Sequence, residues 1–276
     1  MEESQQSDRL LAALLEIMKG MEPLAVAVSG GVDSMTLATA AHRSVGVRSS
    51  IFHAVSPAVP AEATRRVRDL AEAEGWRLRI IDAGEFSDPR YRSNPVNRCY
   101  FCKQNLYGMI ARRTHHQIVS GTNVDDLGDY RPGLDAASQH GVRHPFVEAG
   151  ISKVQIRMLA RALGLPEIAM LPAAPCLSSR VETRIPIEPN VLTAIDQAER
   201  MVAATTSAAT VRCRVRATGI VLELDANSLA NLSERLKREL ETALVRIFEA
   251  TSAPASVSFS DYRMGSAFLR GSVENA

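Results

Sequence analysis

A short apolar run, Leu24 to Val28, leads directly into Ser29-Gly30-Gly31-Val32-Asp33-Ser34, and a helix-forming stretch, Ser34 to Ser44, follows. Five consecutive apolar residues suit a strand buried on both faces. Two adjacent glycines let the backbone turn tightly and approach a ligand closely. The helix beyond them presents unpaired N–H groups and the positive end of its dipole. Pyrophosphate suits that place. Ser29 and Ser34 add hydroxyl donors. Asp33 would repel phosphate, so it reads as a Mg²⁺ ligand. A turn that merely joins strand to helix needs neither the serines nor the aspartate. The hexamer lacks the Gly-Lys-Ser/Thr ending of a Walker loop and the Gly-x-Gly-x-x-Gly of dinucleotide folds.

The surrounding pattern alternates strand and helix. Ser7 to Lys19 carries leucines at helical spacing and stops at Gly20. Ser50–Val55, Arg77–Ile81 and Gln117–Ser120 read as strands, and Glu62–Glu74 and Cys102–Arg113 as helices. This order predicts an α/β fold with a doubly wound parallel sheet. Ser152-Lys153-Val154-Gln155 fits a capping box opening a helix that reaches Leu163. Five prolines between Leu165 and Pro189 mark a connection. Beyond it, helix Leu192–Ala204, a hairpin of Thr210–Ala217 with Ile220–Leu224, a long helix Leu229–Ala250 and a strand Ser256–Phe259 predict a small α+β domain. The expected domains are residues 1–172 and 191–276, joined by 173–190.

Two further segments carry chemistry. Gly121-Thr122-Asn123-Val124-Asp125-Asp126 follows a strand, with Asp129, Arg131, Pro132 and Gly133 beyond. Loops at the carboxyl ends of parallel strands line one crevice, so this loop is expected to face the glycine turn. Gly121, Asn123 and Asp125 would then touch a nucleotide, Asp125 and Asp126 would help Asp33 hold Mg²⁺, and Arg131 would neutralise phosphate. A solvated acidic turn has the same composition. The second segment is the cysteine set. Cys99 and Cys102 lie between Arg98 and Lys103, which favour thiolates. Cys176 lies in the irregular Pro175-Cys176-Leu177-Ser178-Ser179-Arg180. Three thiolates suit three irons of a 4Fe-4S cluster, with the fourth iron open to sulfide. The Cys-x-x-Cys pair also suits a redox disulfide. Cys213, in a strand pattern, reads as structural.

Together these motifs resemble the LarE sulfur transferases of the PP-loop ATP pyrophosphatase superfamily. The likeness is carried by Ser-Gly-Gly-Val-Asp-Ser at 29–34, Arg-Cys-Tyr-Phe-Cys-Lys at 98–103, Gly-Thr-Asn-Val-Asp-Asp at 121–126 and Arg-Pro-Gly at 131–133. Pro-Cys-Leu-Ser-Ser-Arg at 175–180 and Tyr-Arg-Met-Gly-Ser at 262–266 complete it. The resemblance implies that ATP and Mg²⁺ are used to adenylylate a carboxylate of pyridinium-3,5-biscarboxylic acid mononucleotide. A thiocarboxylate for a nickel-pincer cofactor is then made. In some members a cysteine matching Cys176 gives up its sulfur and becomes dehydroalanine. In others, cysteines matching Cys99, Cys102 and Cys176 hold a 4Fe-4S cluster that carries sulfide, and all three are present here. Cys176 and Asp33 are the expected catalytic residues. The substrate is a nucleotide, so cations are expected on its phosphate: Arg180, Arg212, Arg214 and Arg263. Arg212, Arg214 and Arg216 share one strand face. Glu223, on the paired strand, is either their ion-pair partner or a metal ligand. The resemblance also implies that acidic residues near Glu223 matter at a subunit interface, a pattern that Asn231 and Arg200 do not clearly preserve. The family also implies a homo-oligomer, trimer or hexamer, and a sulfide donor.

Composition excludes several classes. With 276 residues, 46% hydrophobic and 23% charged, the chain is neither disordered nor fibrous. Thirty-two basic against 31 acidic residues leave a net charge of +1. A non-specific nucleic-acid binder carries a larger basic excess, so nucleic acid is not the expected partner. The run Leu10 to Met18 is broken by Glu16, so no membrane span or leader is expected, and the expected location is cytoplasmic. Three other readings share the glycine turn. A tRNA thiolase would carry an RNA-binding appendage. An ammonia-using synthetase leaves the three cysteines unexplained. A non-enzymatic iron–sulfur carrier leaves Asp33 unexplained.

Overall fold

Leu24–Val28 forms a strand buried at every position in the computed structural model of the chain, which describes residues 2–128 and 130–267. Asp129, flagged above, lies outside the described residues. In chain order the elements are α1 (Glu2–Lys19), β1 (Leu24–Val28), α2 (Val32–Val45), β2 (Ser49–Ala54), α3 (Ala61–Glu74), β3 (Leu78–Ile81), α4 (Pro89–Arg92), α5 (Arg98–Ala111), β4 (Gln117–Ser120), α6 (Gly133–Gln139), α7 (Pro145–Glu148), α8 (Lys153–Ala162), α9 (Pro166–Ala169), α10 (Pro189–Thr206), β5 (Val211–Arg216), β6 (Gly219–Leu224), α11 (Ala226–Ala230), α12 (Glu234–Phe248) and β7 (Val257–Asp261). They fall into two units. One holds residues 1–85 and 99–174, the other 86–98 and 175–276.

The first unit is built on an all-parallel sheet in the order β3-β2-β1-β4. Side chains of a strand alternate between faces. Leu24, Val26 and Val28 therefore enter one core with Leu14, Met35, Leu37 and Leu159, from α1, α2 and α8. Ala25 and Ala27 enter a second core with Phe52, Tyr107 and Ile110, the last two from α5. Helices cover both faces, as a parallel sheet requires. The chain runs outward from β1 through β2 to β3. It then crosses to the other side of β1 as β4. The strand order thus reverses between β1 and β4, and ligands bind parallel α/β sheets at such a reversal.

The second unit has a mixed sheet, β5-β6-β7, with β5 antiparallel and β7 parallel to β6. Val211, Cys213, Val215, Ile220, Leu222 and Leu224 are buried, as are Leu192 and Ile195 of α10 and Leu240 and Leu244 of α12. Residues 86–98 belong to this unit although the sequence places them inside the first. Asn94 gives the reason. It is fully buried at φ +54°, and its Nδ2 donates to the carbonyls of Val181, Glu182 and Ile185. Arg98 donates to Asn94 Oδ1, and Ile187 N to the Arg92 carbonyl.

Several boundaries differ from expectation. The long helix expected over Leu229–Ala250 is two helices. Asp225 caps α11 by accepting from Ser228 N, and Ser233 caps α12 by accepting from Leu236 N. A side-chain oxygen that satisfies an open N–H starts a new helix. Likewise α5 begins at Arg98 rather than Cys102, so both cysteines of the pair sit at its start. The capping box at Ser152 and Gln155 is formed by both side chains. Among the described residues no helix is long and apolar enough to cross a membrane.

Asn94→Ala removes both Nδ2 protons shared among the Val181, Glu182 and Ile185 carbonyls and the acceptor of Arg98, and a buried polar group costs roughly 1–3 kcal/mol when left unpaired. Urea unfolding of the second unit, followed by hydrogen exchange in β5 and β6, is expected to show a loss of about 2–3 kcal/mol.

Candidate functional site

The glycine turn is shaped by what lies next to it. Gly30 has φ +86°, and a Cβ there would meet the Ala63 carbonyl of α3 at 2.9 Å. Only glycine tolerates both conditions. Arg66 of α3 donates to the Gly30 carbonyl at 2.8 Å. Gly31 is the N-cap of α2 and offers no side-chain cap, so that helix end stays open to an anion. Val32 is buried beneath the turn. The Ser29 and Ser34 hydroxyls lie 3.1 Å apart, and Ser34 Oγ also accepts from Ser29 N.

The loop after β4 packs directly on this turn. A Cβ on Gly121 would meet Ser34 N at 2.8 Å and the Asp33 carbonyl carbon at 2.9 Å. The two loops expected to share a crevice do so, at the reversal between β1 and β4. Asn123 is buried, and its Oδ1 accepts from Asp125 N, so its side chain builds the loop from within. Asp126 accepts from Asn123 N and pairs with Arg131 at 2.7 Å. Asp125 accepts from Lys153 N at the start of α8.

Lys153 is the residue the sequence did not single out. Its Nζ pairs with Asp33 Oδ2 at 2.5 Å, across 120 positions. A capping box already accounts for a lysine at a helix start, so nothing local marks it. Burial pushes the Asp33 carboxyl up from the usual aspartate value and Lys153 opposes this; Asp126 adds a like charge and Arg157 an opposing one. Asp33 Oδ1 is buried with no hydrogen-bond partner. An orphaned carboxylate oxygen beside an open helix end fits a Mg²⁺ ligand. Among the described residues no three His, Cys, Asp or Glu side chains gather around one metal position. Cys99 and Cys102 provide two half-buried thiols near the start of α5, and Cys176, exposed, belongs to the other unit. That is one thiol short of three in the first unit. Gly133 lies against Lys103 and the Cys99 carbonyl, which brings the Arg131–Gly133 segment onto that turn.

Two histidines brace the crevice. His53 of β2 is fully buried, with Nδ1 2.9 Å from the Val28 carbonyl and Nε2 3.0 Å from Thr64 Oγ1. A carbonyl only accepts, so Nδ1 carries the proton and Nε2 accepts from Thr64. Burial holds the His53 imidazolium below its usual range. His144 Nδ1 lies 2.9 Å from Ser120 Oγ, and burial lowers its pKa as well.

In the second unit, Arg212, Arg214 and Arg216 share the sheet face that β6 completes with Glu223. Arg214 is 5% exposed and Glu223 1%, and they pair at 3.0 Å. Glu223 also accepts from Arg216 at 2.9 Å and from Ser266 Oγ at 2.5 Å. Its two oxygens are thus engaged as ion-pair acceptors, the first of the two roles considered for it. Arg212 lies over the Tyr262 ring at 5.7 Å. Burial and the nearby Arg180 cation push its pKa down, against the opposing pull of Glu199 and Tyr262. Arg263 is exposed, and its carbonyl accepts from Arg214. Arg180, also expected on the phosphate, is bonded within its own unit. Its side chain is 3% exposed and held by Glu199 and by nearby main-chain oxygens. Cys213 is buried on the opposite face, where burial pushes its thiol far up and leaves it unreactive.

No family model matches the chain. An uncharacterized protein of Synechocystis, slr1717, is 39% identical over 159 residues, 56% of this chain and 59% of that one. A pyridinium-3,5-bisthiocarboxylic acid mononucleotide synthase of Lactiplantibacillus plantarum is 30% identical over 160 residues, 56% of this chain and 58% of the relative. A glutamine-hydrolyzing GMP synthase component of Methanopyrus kandleri is 26% identical over 161 residues, 51% of this chain and 50% of the relative. The chain thus spans half to three fifths of the length of these relatives. The second supports the family that the motifs resemble.

Gly121→Ala is expected to force the two loops apart at a cost of about 1–3 kcal/mol and to weaken ATP binding about tenfold or more by calorimetry. Acid sensitivity tests His53. The unfolded chain protonates first as pH falls below the ordinary imidazole value of 6.5, while the buried ring resists. Stability is therefore lost on acidification below that value, and His53→Gln should flatten the urea-midpoint profile between about pH 7 and about pH 5.

Proposed function

We propose that this chain is an ATP-dependent sulfur transferase that adenylylates a carboxylate of a pyridinium mononucleotide and converts it to a thiocarboxylate. The observation that carries the reading is the crevice itself. It combines an open helix end, an orphaned Asp33 oxygen and a long-stemmed cation, Lys153, in a relative of a protein named for that product.

A carboxylate resists an incoming sulfur nucleophile because both are negative. Adenylylation removes that charge and installs a leaving group. A carboxylate oxygen attacks the α-phosphorus, the bond from that phosphorus to the α–β bridging oxygen breaks, and pyrophosphate departs. The N–H groups at the start of α2 and Lys153 then bind the departing pyrophosphate. Mg²⁺, held by Asp33 with Asp126 beside it, would supply charge neutralisation on the phosphates. Lys153 is proposed to exchange Asp33 for phosphate as the nucleotide enters. Arg212 is proposed to bind the substrate's own phosphate.

Sulfur is then delivered through Cys176. In the sacrificial form, Cys176 Sγ attacks the acyl carbon and AMP leaves. Loss of the Cα proton with cleavage of the Cβ–S bond gives the thiocarboxylate and dehydroalanine. The other form uses a 4Fe-4S cluster on Cys99, Cys102 and Cys176, which would carry the extra sulfide. Anaerobic reconstitution with iron and sulfide, followed by counting both, separates the two. The likeness to a GMP synthase component favours one second reading, an ammonia-using synthetase. That enzyme would release AMP with ammonia in place of sulfide and would not need Cys176.

The test is pyrophosphate release dependent on pyridinium-3,5-biscarboxylic acid mononucleotide, with mass detection of thiocarboxylate. Asp33→Asn should cut pyrophosphate release by about a hundredfold or more. Cys176→Ala should keep releasing pyrophosphate and form no thiocarboxylate. Full thiocarboxylate formation by Cys176→Ala would refute the assignment of that residue.

A further inference from the structure

Cys176 stands at the edge between two environments. Residues 172–176 are exposed, whereas Leu177 and Ser178 are buried. Its thiol is displayed, and its main chain must be fixed by neighbours. The Cys176 carbonyl accepts from Ser179 N at 2.9 Å. Arg180 provides a second hold. One edge of its guanidinium grips Glu199 of α10 twice, Nε to Oε1 at 2.9 Å and NH2 to Oε2 at 3.0 Å. The remaining nitrogen, NH1, donates to the carbonyls of Pro175 at 2.6 Å and Cys176 at 3.3 Å, and to Ser179 Oγ at 3.0 Å. Glu199 is itself anchored, its Oε1 accepting from Cys213 N of β5 at 2.9 Å. The loop is thereby referenced to both a helix and the sheet of its own unit. Tyr91 OH at 2.6 Å from Ser178 Oγ, and Arg214 donating to the Ser179 carbonyl at 3.0 Å, hold the following residues.

We propose that Arg180, oriented by Glu199, is a positioning residue that fixes the backbone at Cys176 and so the direction of its thiol. The proposal rests on the reading of Cys176 as the sulfur-delivering residue. A planar fork can bind a carboxylate on one edge and carbonyls at its third nitrogen; a lysine ammonium has the charge without that geometry. A nucleophile that must meet an acyl carbon depends on such alignment.

The experiment compares wild type, Arg180→Lys and Glu199→Gln, each full length, by deuterium uptake and by steady-state kinetics. Thermal melts first establish that the variants fold. Both variants should exchange faster in the peptide spanning 175–181, while peptides of β6 exchange as in wild type. For thiocarboxylate formation, Arg180→Lys should lower kcat by between about tenfold and a hundredfold with KM for the mononucleotide within about twofold. Glu199→Gln, which keeps a neutral acceptor, should fall between Arg180→Lys and wild type. Unchanged uptake at 175–181 in Arg180→Lys would overturn the clamp. Faster uptake with wild-type kcat would overturn its positioning role. A raised KM with unchanged kcat would make Arg180 a phosphate ligand instead. A wild type that forms no thiocarboxylate refutes the proposed function. The uptake comparison then stands alone as the measure of whether Arg180 holds the loop.

Discussion

The close approach of Gly121 to the backbone of Asp33 and Ser34 is the contact on which the first unit's site depends. It seals the space between the ends of β1 and β4 at the height of the glycine turn. Any side chain at 121 would lift one loop off the other. Where the loops touch, Asp33 is half-buried, burial raises its carboxyl pKa, and a counter-charge offsets this. Lys153 supplies that charge from the start of α8, and the same residue's N–H fastens Asp125. One steric contact thus orders a strand-end loop, a helix start and an ion pair.

The second unit solves a different problem, how to hold an exposed cysteine, Cys176, on an irregular, proline-rich segment. It does so with buried charge. Two Arg–Glu pairs, Arg180–Glu199 and Arg214–Glu223, adjoin the loop, and each arginine also donates to a loop carbonyl. Buried ion pairs contribute little net stability over apolar substitutes, but breaking one leaves an uncompensated charge. Their value here is geometric. They let a segment without helix or strand ladders keep its carbonyls satisfied.

Much of this was legible in the sequence. The apolar run, paired glycines and following helix located the glycine turn between β1 and α2. The strand–helix alternation implied the parallel sheet. The capping box at Ser152 and the facing of Arg212, Arg214 and Arg216 also follow from local rules. The break between α11 and α12 is marked there too, by the capping residues Asp225 and Ser233. The attachment of residues 86–98 to the second unit escaped local reading because Asn94 bonds to carbonyls about ninety positions away.

Local pattern determined which backbone shapes were available, because glycine freedom, side-chain alternation and helix capping act within a few residues. Partner choice was decided only by the tertiary structure. Asp33 faces Lys153 across 120 positions, and Arg180 faces Glu199. Charge alone does not tell an arginine that binds substrate from one that holds the chain. Burial and the count of satisfied donors do, and both exist only once the chain has folded.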